Sequence, residues 1–167
     1  MDQALLSARR LLENVTPLNM DCGLTCAHAC CSSMAGDETG MLLFPGEEDF
    51  YADLPGYTLK TAALGTLLIC EGRCQRCERP LSCRMFPLLP VLREDGVKVA
   101  VDLRAKPVCP LAQQGRSAMS AAFIDAVREA GRLLAQDEVQ RAFLMQLTNE
   151  QDELRALRQR FGGHRHV

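Results

Sequence analysis

The sequence predicts a small α+β domain in which short strands and a β-hairpin surround a cysteine-ligated metal site, closed by a C-terminal antiparallel helical hairpin. Three observations predict this fold. Nine cysteines fall mostly in two clusters, a strand–turn–strand pattern spans residues 88–102, and helix-forming residues dominate from residue 117 onward. The length of 167 residues suits one domain, 1–167, with the cysteine-rich core at about 20–111 and the helical hairpin at about 117–161.

Composition and charge exclude several classes of protein. The chain has 19 Lys and Arg against 21 Asp and Glu, a net charge of −2, so it lacks the basic character of a nucleic-acid-binding surface. No apolar run is long enough to cross a bilayer, and the first ten residues do not have the layout of a signal peptide. We therefore expect a cytoplasmic protein with reduced thiols rather than disulfides.

The first segments are a short helix and a cysteine-rich stretch. Residues 2–13 favour a helix capped by Asp2, which Thr16-Pro17 terminates. In the stretch 21–31, Asp21 can cap a second helix, whose N-terminus favours the thiolate form of nearby cysteines. Spacings of four residues would then place three cysteines on one helix face. These are Cys22, Cys26 and Cys30.

A loop, a strand and an acidic segment follow. Residues 32–39 are small and polar, as in a loop, and residues 40–44 form a short apolar strand that Pro45-Gly46 stops. Residues 47–54 indicate a short helix with acidic residues in its first turn. We interpret these carboxylates as a solvated helix start in preference to metal ligands or groups behind the ligands.

The middle of the chain favours strands that lead into the second cysteine cluster. Residues 58–61 and 66–69 are rich in β-branched and apolar residues and deliver Cys70 to that cluster. Residues 88–93 and 97–102 predict a hairpin, because valines alternate with other residues after a Glu-Asp-Gly turn. An extended loop then brings Cys109 back towards the other cysteines.

Arginines crowd the second cluster. Thiolates around a metal carry excess negative charge, which nearby guanidinium groups would offset. Two of the arginines have an alternative partner in the acidic helix at 47–49. The four residues are Arg73, Arg76, Arg79 and Arg84, and the alternative concerns Arg79 and Arg84.

The C-terminal third predicts two amphipathic helices. Asp137 with Gln140 resembles a capping box at the start of the second helix, and Gly162-Gly163 ends it. The pair can act as a lid on the core or as a surface for a protein partner. The expected apolar stripes are Met119, Phe123, Ala126, Val127, Ala130, Leu133 and Leu134 on the first helix, and Val139, Phe143, Leu147, Leu154, Leu157 and Phe161 on the second.

The cysteine layout resembles the YkgJ family, small bacterial proteins to which a zinc- or iron-chelating role is ascribed. The family pattern, CxxxCxxCC, is similar to residues 22–31, where the second gap is one residue longer. Its RPxxCRxxP segment matches residues 79–87, its Gly-apolar-Pro-Glu segment resembles residues 40–48, and its later Cys-Pro matches Cys109-Pro110. The resemblance spans about residues 20–111 and does not cover the terminal helices.

The resemblance implies a set of metal ligands and leaves two residues open. Cys77 stands where the family has an aromatic residue, so it is either an additional ligand or a spare thiol. His28 is either a ligand or, as cysteines are plentiful, an exposed or supporting residue. We expect one of the adjacent cysteines 30 and 31 to face away from the metal. The implied ligands are Cys22, Cys26, Cys30, Cys31, Cys70, Cys74, Cys83 and Cys109.

Three functions are consistent with these features. The first is a protein that binds zinc or an iron–sulfur cluster in a structural or redox role, since four thiolates suit both. The second is a cluster-dependent enzyme that modifies a protein or peptide, because flagellin lysine-N-methylases have a similar cysteine pattern, although this chain is much shorter. The third is a metal-handling or interaction module. The sequence contains no phosphate loop, nucleotide fingerprint or catalytic triad signature, so whether it is an enzyme stays open.

Overall fold

The computed structural model describes residues 2–31, 40–70 and 75–161, and it confirms a small α+β domain. The predicted loop at 32–39, Cys74 and the predicted helix end at Gly162-Gly163 lie outside these residues. The helices are α1 (Gln3–Leu11), α2 (Gly23–Cys26), α3 (Glu48–Tyr51), α4 (Leu81–Met85), α5 (Pro110–Gln114), α6 (Ala121–Leu134) and α7 (Glu138–Phe161). The strands are β1 (Met41–Leu42), β2 (Tyr57–Ala62), β3 (Gly65–Cys70), β4 (Leu88–Arg93) and β5 (Gly96–Val101).

The strands form two small antiparallel sheets. One has the order β1-β3-β2, so the strand that ends at Cys70 is its central member. The other is the β4–β5 hairpin, where Arg93 pairs with Gly96 across a two-residue turn. Gly96 has a φ of 108°, a conformation that glycine adopts without steric cost. The predicted hairpin is therefore confirmed, with its second strand starting one residue earlier.

The main core lies between the hairpin, the long helices and the N-terminal helix. α6 lies directly on the hairpin: a Cβ atom at Gly131 would be 2.5 Å from Cβ of Pro90. α1 packs against α6, and its N-terminus is capped as predicted, since Oδ1 of Asp2 accepts a hydrogen bond from the backbone N–H of Leu5 at 2.7 Å. α1 is shorter than predicted and ends at Leu11. Through these contacts α6 packs on the second sheet, and α1 packs on both α6 and α4.

The apolar stripe predicted for α6 is buried except at Leu133, which is half-buried, but the one predicted for α7 is wrong at both ends of the helix. Phe143 and Leu147 are buried, whereas Val139, Leu157 and Phe161 are 60%, 49% and 79% exposed. The buried face of α7 ends at Gln151, because the helix then runs past the elements it packs on. A protein partner at these helices stays a prediction. Along the described ranges no helix has both the length and the apolar character needed to cross a lipid bilayer.

The start of α7 is tied to the N-terminus. Oδ1 of Asp137 accepts hydrogen bonds from the backbone N–H groups of Val139 and Gln140 at 2.9 and 3.0 Å, which confirms the cap. The other half of the predicted capping box, a hydrogen bond from the backbone N–H of Asp137 to the side chain of Gln140, is wrong, because that N–H donates to the carbonyl of Leu134. The buried amide of Gln140 instead donates to Oδ2 of Asp2 at 2.6 Å and to the carbonyl of Pro45 at 2.8 Å. Gln140 thus joins α1, the loop after β1 and α7.

Candidate functional site

The predicted helix through the first cysteine cluster is confirmed only at its start. α2 covers four residues, Gly23–Cys26, and Oδ1 of Asp21 accepts a hydrogen bond from the backbone N–H of Gly23 at 3.0 Å. Asp21 therefore supports the helix N-terminus as predicted. The prediction that Cys22, Cys26 and Cys30 lie on one helix face is wrong, because the helix ends before Cys30.

The helix ends in two consecutive left-handed residues. Ala27 and His28 have φ values of 50° and 56°, and a 3₁₀ turn follows at Ala29–Cys31. A residue with a Cβ atom pays a steric cost in this conformation. The two residues change the direction of the chain, so that the second pair of cysteines of this cluster turns back towards the rest of the domain.

We expect Ala27→Gly to raise the free energy of unfolding by about 0.5–1 kcal/mol, measured by denaturant titration with a chelator present. The left-handed conformation costs alanine about 1–2 kcal/mol, and the extra chain entropy of glycine offsets about 0.5–1 kcal/mol of the gain. Ala29→Gly is the matched control, because Ala29 lies in the 3₁₀ turn and is not left-handed. It is expected to destabilise the protein, and a gain of equal size in both variants would contradict the explanation.

Five cysteines from four parts of the chain line one cavity of about 110 Å³. About 10–15 Å³ of such space holds one water molecule, so this cavity has room for a small bound group. Its wall also contains apolar side chains and arginines. The cysteines are Cys22 before α2, Cys30 and Cys31 in the 3₁₀ turn, Cys70 at the end of β3, and Cys83 in α4.

The sulfur atoms of Cys30 and Cys31 lie 3.9 Å apart. Both residues line the same cavity, because a tight turn follows His28, and whether one of them faces away from a bound metal stays a prediction. Tetrahedral zinc with Zn–S bonds of about 2.3 Å holds two thiolates about 3.8 Å apart. The spacing of this pair therefore suits two ligands of one ion.

The thiols of this site perturb one another. The thiols of Cys30 and Cys31 share a hydrogen bond, which, with the nearby Arg79 and His28, lowers the pKa of Cys31 to about 6. The pKa of Cys30 is raised well above its usual value by that same hydrogen bond, by burial and by the neighbouring thiols. Burial, followed by Asp21 and other cysteines, raises the pKa of Cys22. A bound cation would relieve this accumulation of negative charge.

Cys83 is held in place by the start of α4. The first N–H of the helix, that of Leu81, donates to Oε1 of Glu47 at 2.9 Å, and the hydroxyl of Ser82 donates to the carbonyl of Leu42. α4 is thus joined to the end of β1 and to the segment that follows it. Cys83 is thereby fixed relative to β1 and its neighbour β3, the strand that carries Cys70.

Glu47 is the functional support that sequence reasoning missed. It is fully buried, and it also accepts hydrogen bonds from Arg9 and, at 3.1 Å, from the backbone N–H of Phe44. Burial raises the pKa of Glu47, and Arg9 and the two backbone donors, Phe44 and Leu81, oppose that rise. The interpretation as a solvated helix start holds for the exposed Asp49 and is wrong for Glu47, because α1 brings Arg9 over it.

Two of the four arginines support the backbone. The guanidinium of Arg76 donates to the carbonyls of Leu12, Glu13 and Val15 at 3.3, 2.5 and 2.8 Å, just after α1. Arg84 donates to the carbonyls of three further residues at 2.8–3.0 Å. The proposed pairing of Arg84 with the acidic helix is therefore wrong, since backbone carbonyls take its donors. Those carbonyls belong to Arg9, Cys77 and Arg79.

Arg79 has a different role from these two arginines. All three arginines line the cavity, and Arg79 in addition opposes the rise in the pKa of Cys22 and lowers the pKa of Cys31. This agrees with the predicted compensation of thiolate charge. Arg73 lies outside the described residues.

Two predicted ligands lie beside the cavity and not on its wall. The sulfur of Cys26 is 3.9 Å from the carbonyl oxygen of Cys22. Cys109 is only 8% exposed and packs in a small cluster with Ala105 and Ala112. Both cysteines are close enough to Cys22 to raise its pKa.

Cys77 stands apart from the cavity. It is exposed, and its sulfur lies 3.8 Å from Oε1 of Gln75. Its carbonyl oxygen accepts one of the hydrogen bonds from Arg84. Cys74 lies outside the described residues. Of the described cysteines of the second cluster, Cys70 and Cys83 line the cavity.

The donor atoms fit a soft metal or cluster in type, but they do not form a complete shell of ligands. Eight cysteines have free thiols in the part of the chain that the structure describes. Within residues 2–31, 40–70 and 75–161, no three Cys, His, Asp or Glu side chains stand close enough to hold one metal ion. Thiolates are the preferred ligands of zinc and iron–sulfur clusters, and the ligand chemistry of the cavity is therefore appropriate for either.

The fold and the cavity define this chain as a small α+β protein with a cysteine-lined cavity. Comparison with protein-family models, with curated proteins and with solved structures finds no match. Function is therefore inferred from the residues of the cavity and from the motifs that carry them.

Proposed function

We propose that this protein binds zinc or an iron–sulfur cluster through cysteine thiolates, in a structural or redox role. One observation supports the proposal: five cysteines from four parts of the chain line the same cavity. They are Cys22, Cys30, Cys31, Cys70 and Cys83. Cysteines that serve only as small apolar residues have no reason to meet in this way. A shared ligand gives such a reason.

The number of thiols bears on the type of centre. Five cysteines line the cavity, and a tetrahedral ion or a cubane cluster uses four. The close pair Cys30 and Cys31 suits a single zinc ion, and the additional thiols leave room for a cluster or for a second site near Cys26 and Cys109. When bound, zinc would stabilise the fold, whereas an iron–sulfur cluster would carry electrons.

We also propose that the chain is a YkgJ-like protein. The segment that resembles the family's RPxxCRxxP motif contributes Arg79 and Cys83 to the cavity wall, and its second arginine, Arg84, supports the backbone below it. The Glu of the Gly-apolar-Pro-Glu segment is Glu47, which holds α4. Arg79, Cys83, Arg84 and Glu47 of these motifs thus line the cavity or support the residues that do.

The test is the metal content and absorption spectrum of protein purified without oxygen. A brown protein with broad absorption near ~400 nm and about four irons per chain indicates a cubane cluster. A colourless protein with stoichiometric zinc indicates a structural or metal-handling site. A stably folded protein that contains neither metal, and takes up neither when supplied with zinc or with iron and sulfide, would overturn the proposal.

A further inference from the structure

The turn that redirects the first cysteine cluster is built around His28. The backbone N–H of His28 donates to the carbonyl of Gly23 at 3.0 Å, and the carbonyl of His28 accepts from the N–H of Cys31 at 2.7 Å. His28 therefore joins the start of α2 to the end of the 3₁₀ turn. Between these two bonds the backbone of His28 is left-handed, with a φ of 56°.

The imidazole of His28 lies where a side chain at position 23 would be. A Cβ atom at Gly23 would lie 2.1 Å from Nδ1 and 2.3 Å from Cε1 of His28. Real Cβ atoms do not approach other atoms this closely. Gly23 is buried, although it belongs to a helix, where alanine would be the more stable residue in the absence of the ring. His28 as a residue is exposed, and its ring fills the space beside Gly23 that a side chain there would need.

We propose that Gly23 and His28 form a positioning pair that turns Cys30 and Cys31 into the cavity beside Cys22, and that His28 is not itself a metal ligand. This inference rests on the proposed function. The ring of His28 packs on Gly23, the first residue of α2, which directly follows Cys22. The backbone carbonyl of His28 accepts a hydrogen bond from Cys31. One residue therefore sets the position of both ends of the cysteine segment. Supporting groups of this kind commonly change metal affinity about 10- to 100-fold.

The contact can be tested in metal-free protein from its unfolding midpoint in the presence of EDTA. Gly23→Ala should lower the midpoint, because the new methyl group displaces the imidazole. In Gly23→Ala/His28→Gly the loss should largely disappear, since the ring is gone and glycine accepts the left-handed backbone. If the ring does not occupy this space, Gly23→Ala should instead raise the midpoint, as it does in an ordinary helix. That result would overturn the inference.

Positioning and ligation can be separated by titration with Co²⁺ alone, followed by its thiolate charge-transfer absorption. His28→Phe keeps a ring but has no donor atom, so it should retain the wild-type affinity and spectrum. His28→Ala and Gly23→Ala should bind about 10- to 100-fold more weakly. A changed spectrum in His28→Phe would identify His28 as a ligand, and unchanged affinity in both alanine variants would show that the pair does not position the cysteines.

The two experiments distinguish this inference from the proposed function. A wild-type protein that takes up no Co²⁺, zinc or iron would overturn the proposed function and the positioning role together. The metal-free variants would still report whether the imidazole packs on Gly23. Wild-type binding with no response to any of the variants would overturn the positioning role alone.

Discussion

Glu47→Ala is expected to lower the free energy of unfolding by about 3–5 kcal/mol, because it leaves the buried Arg9 without its carboxylate. The same change removes the acceptor for the backbone N–H groups of Phe44 and Leu81. Domains of this size are stable by about 5–15 kcal/mol, so the loss is a large part of the total. Denaturant unfolding of the metal-free protein measures it.

Asp49→Ala is the matched control for Glu47→Ala. Asp49 lies two residues later in the same acidic run and is exposed, so its replacement should change stability by less than about 0.5 kcal/mol. Arg9→Met should resemble Glu47→Ala, since it leaves a buried carboxylate unpaired. Equal, small losses in Glu47→Ala and Asp49→Ala would contradict the buried network.

Cys83→Ser is expected to abolish stoichiometric metal binding. Cys83 lines the cavity on a short helix whose position is set by Glu47, so we expect its thiolate to be one of the four ligands and not the spare fifth thiol. The loss of affinity should exceed the about 10- to 100-fold that is typical of supporting groups. Metal analysis after anaerobic purification, followed by competition with a chelator, measures the effect.

Cys77→Ser is the control within the second cysteine cluster. Cys77 is exposed and lies off the cavity wall, so this variant should keep its metal and its absorption spectrum. A fully metallated Cys83→Ser protein would show that Cys83 is not a ligand. Complete metal loss in Cys77→Ser would instead identify Cys77 as the ligand of the second cluster.

Local sequence patterns are sufficient to predict the secondary-structure elements whose contacts come from residues nearby in the sequence. Alternation and a turn within fifteen residues predict the β4–β5 hairpin, and a regular apolar stripe predicts α6. α7 shows the limit of this reasoning. The apolar residues Leu157 and Phe161 continue the helical pattern, but the core ends at Gln151, and only the packed structure shows where it ends.

The cysteine site was predicted by composition and misjudged in its geometry. Spacing identified the residues, since clustered thiols in a reduced compartment favour metal binding. It also predicted a continuous helix, and the structure has a left-handed break at Ala27 and His28 instead. Side-chain propensity alone does not predict such a break, because alanine rarely adopts that backbone, although histidine adopts it more often than most residues.

By itself, the sequence determined the α+β class, the hairpin, the two long helices and the identity of the thiols, because periodicity, turn chemistry and residue type are local properties. Tertiary structure alone decided which cysteines share a cavity, and it decided that Glu47 is buried while Asp49, two residues later, is exposed. The reason is physical: the partner that makes Glu47 tolerable in the core, Arg9, lies 38 residues earlier in the chain. Only the packing of α1 brings the two charges together.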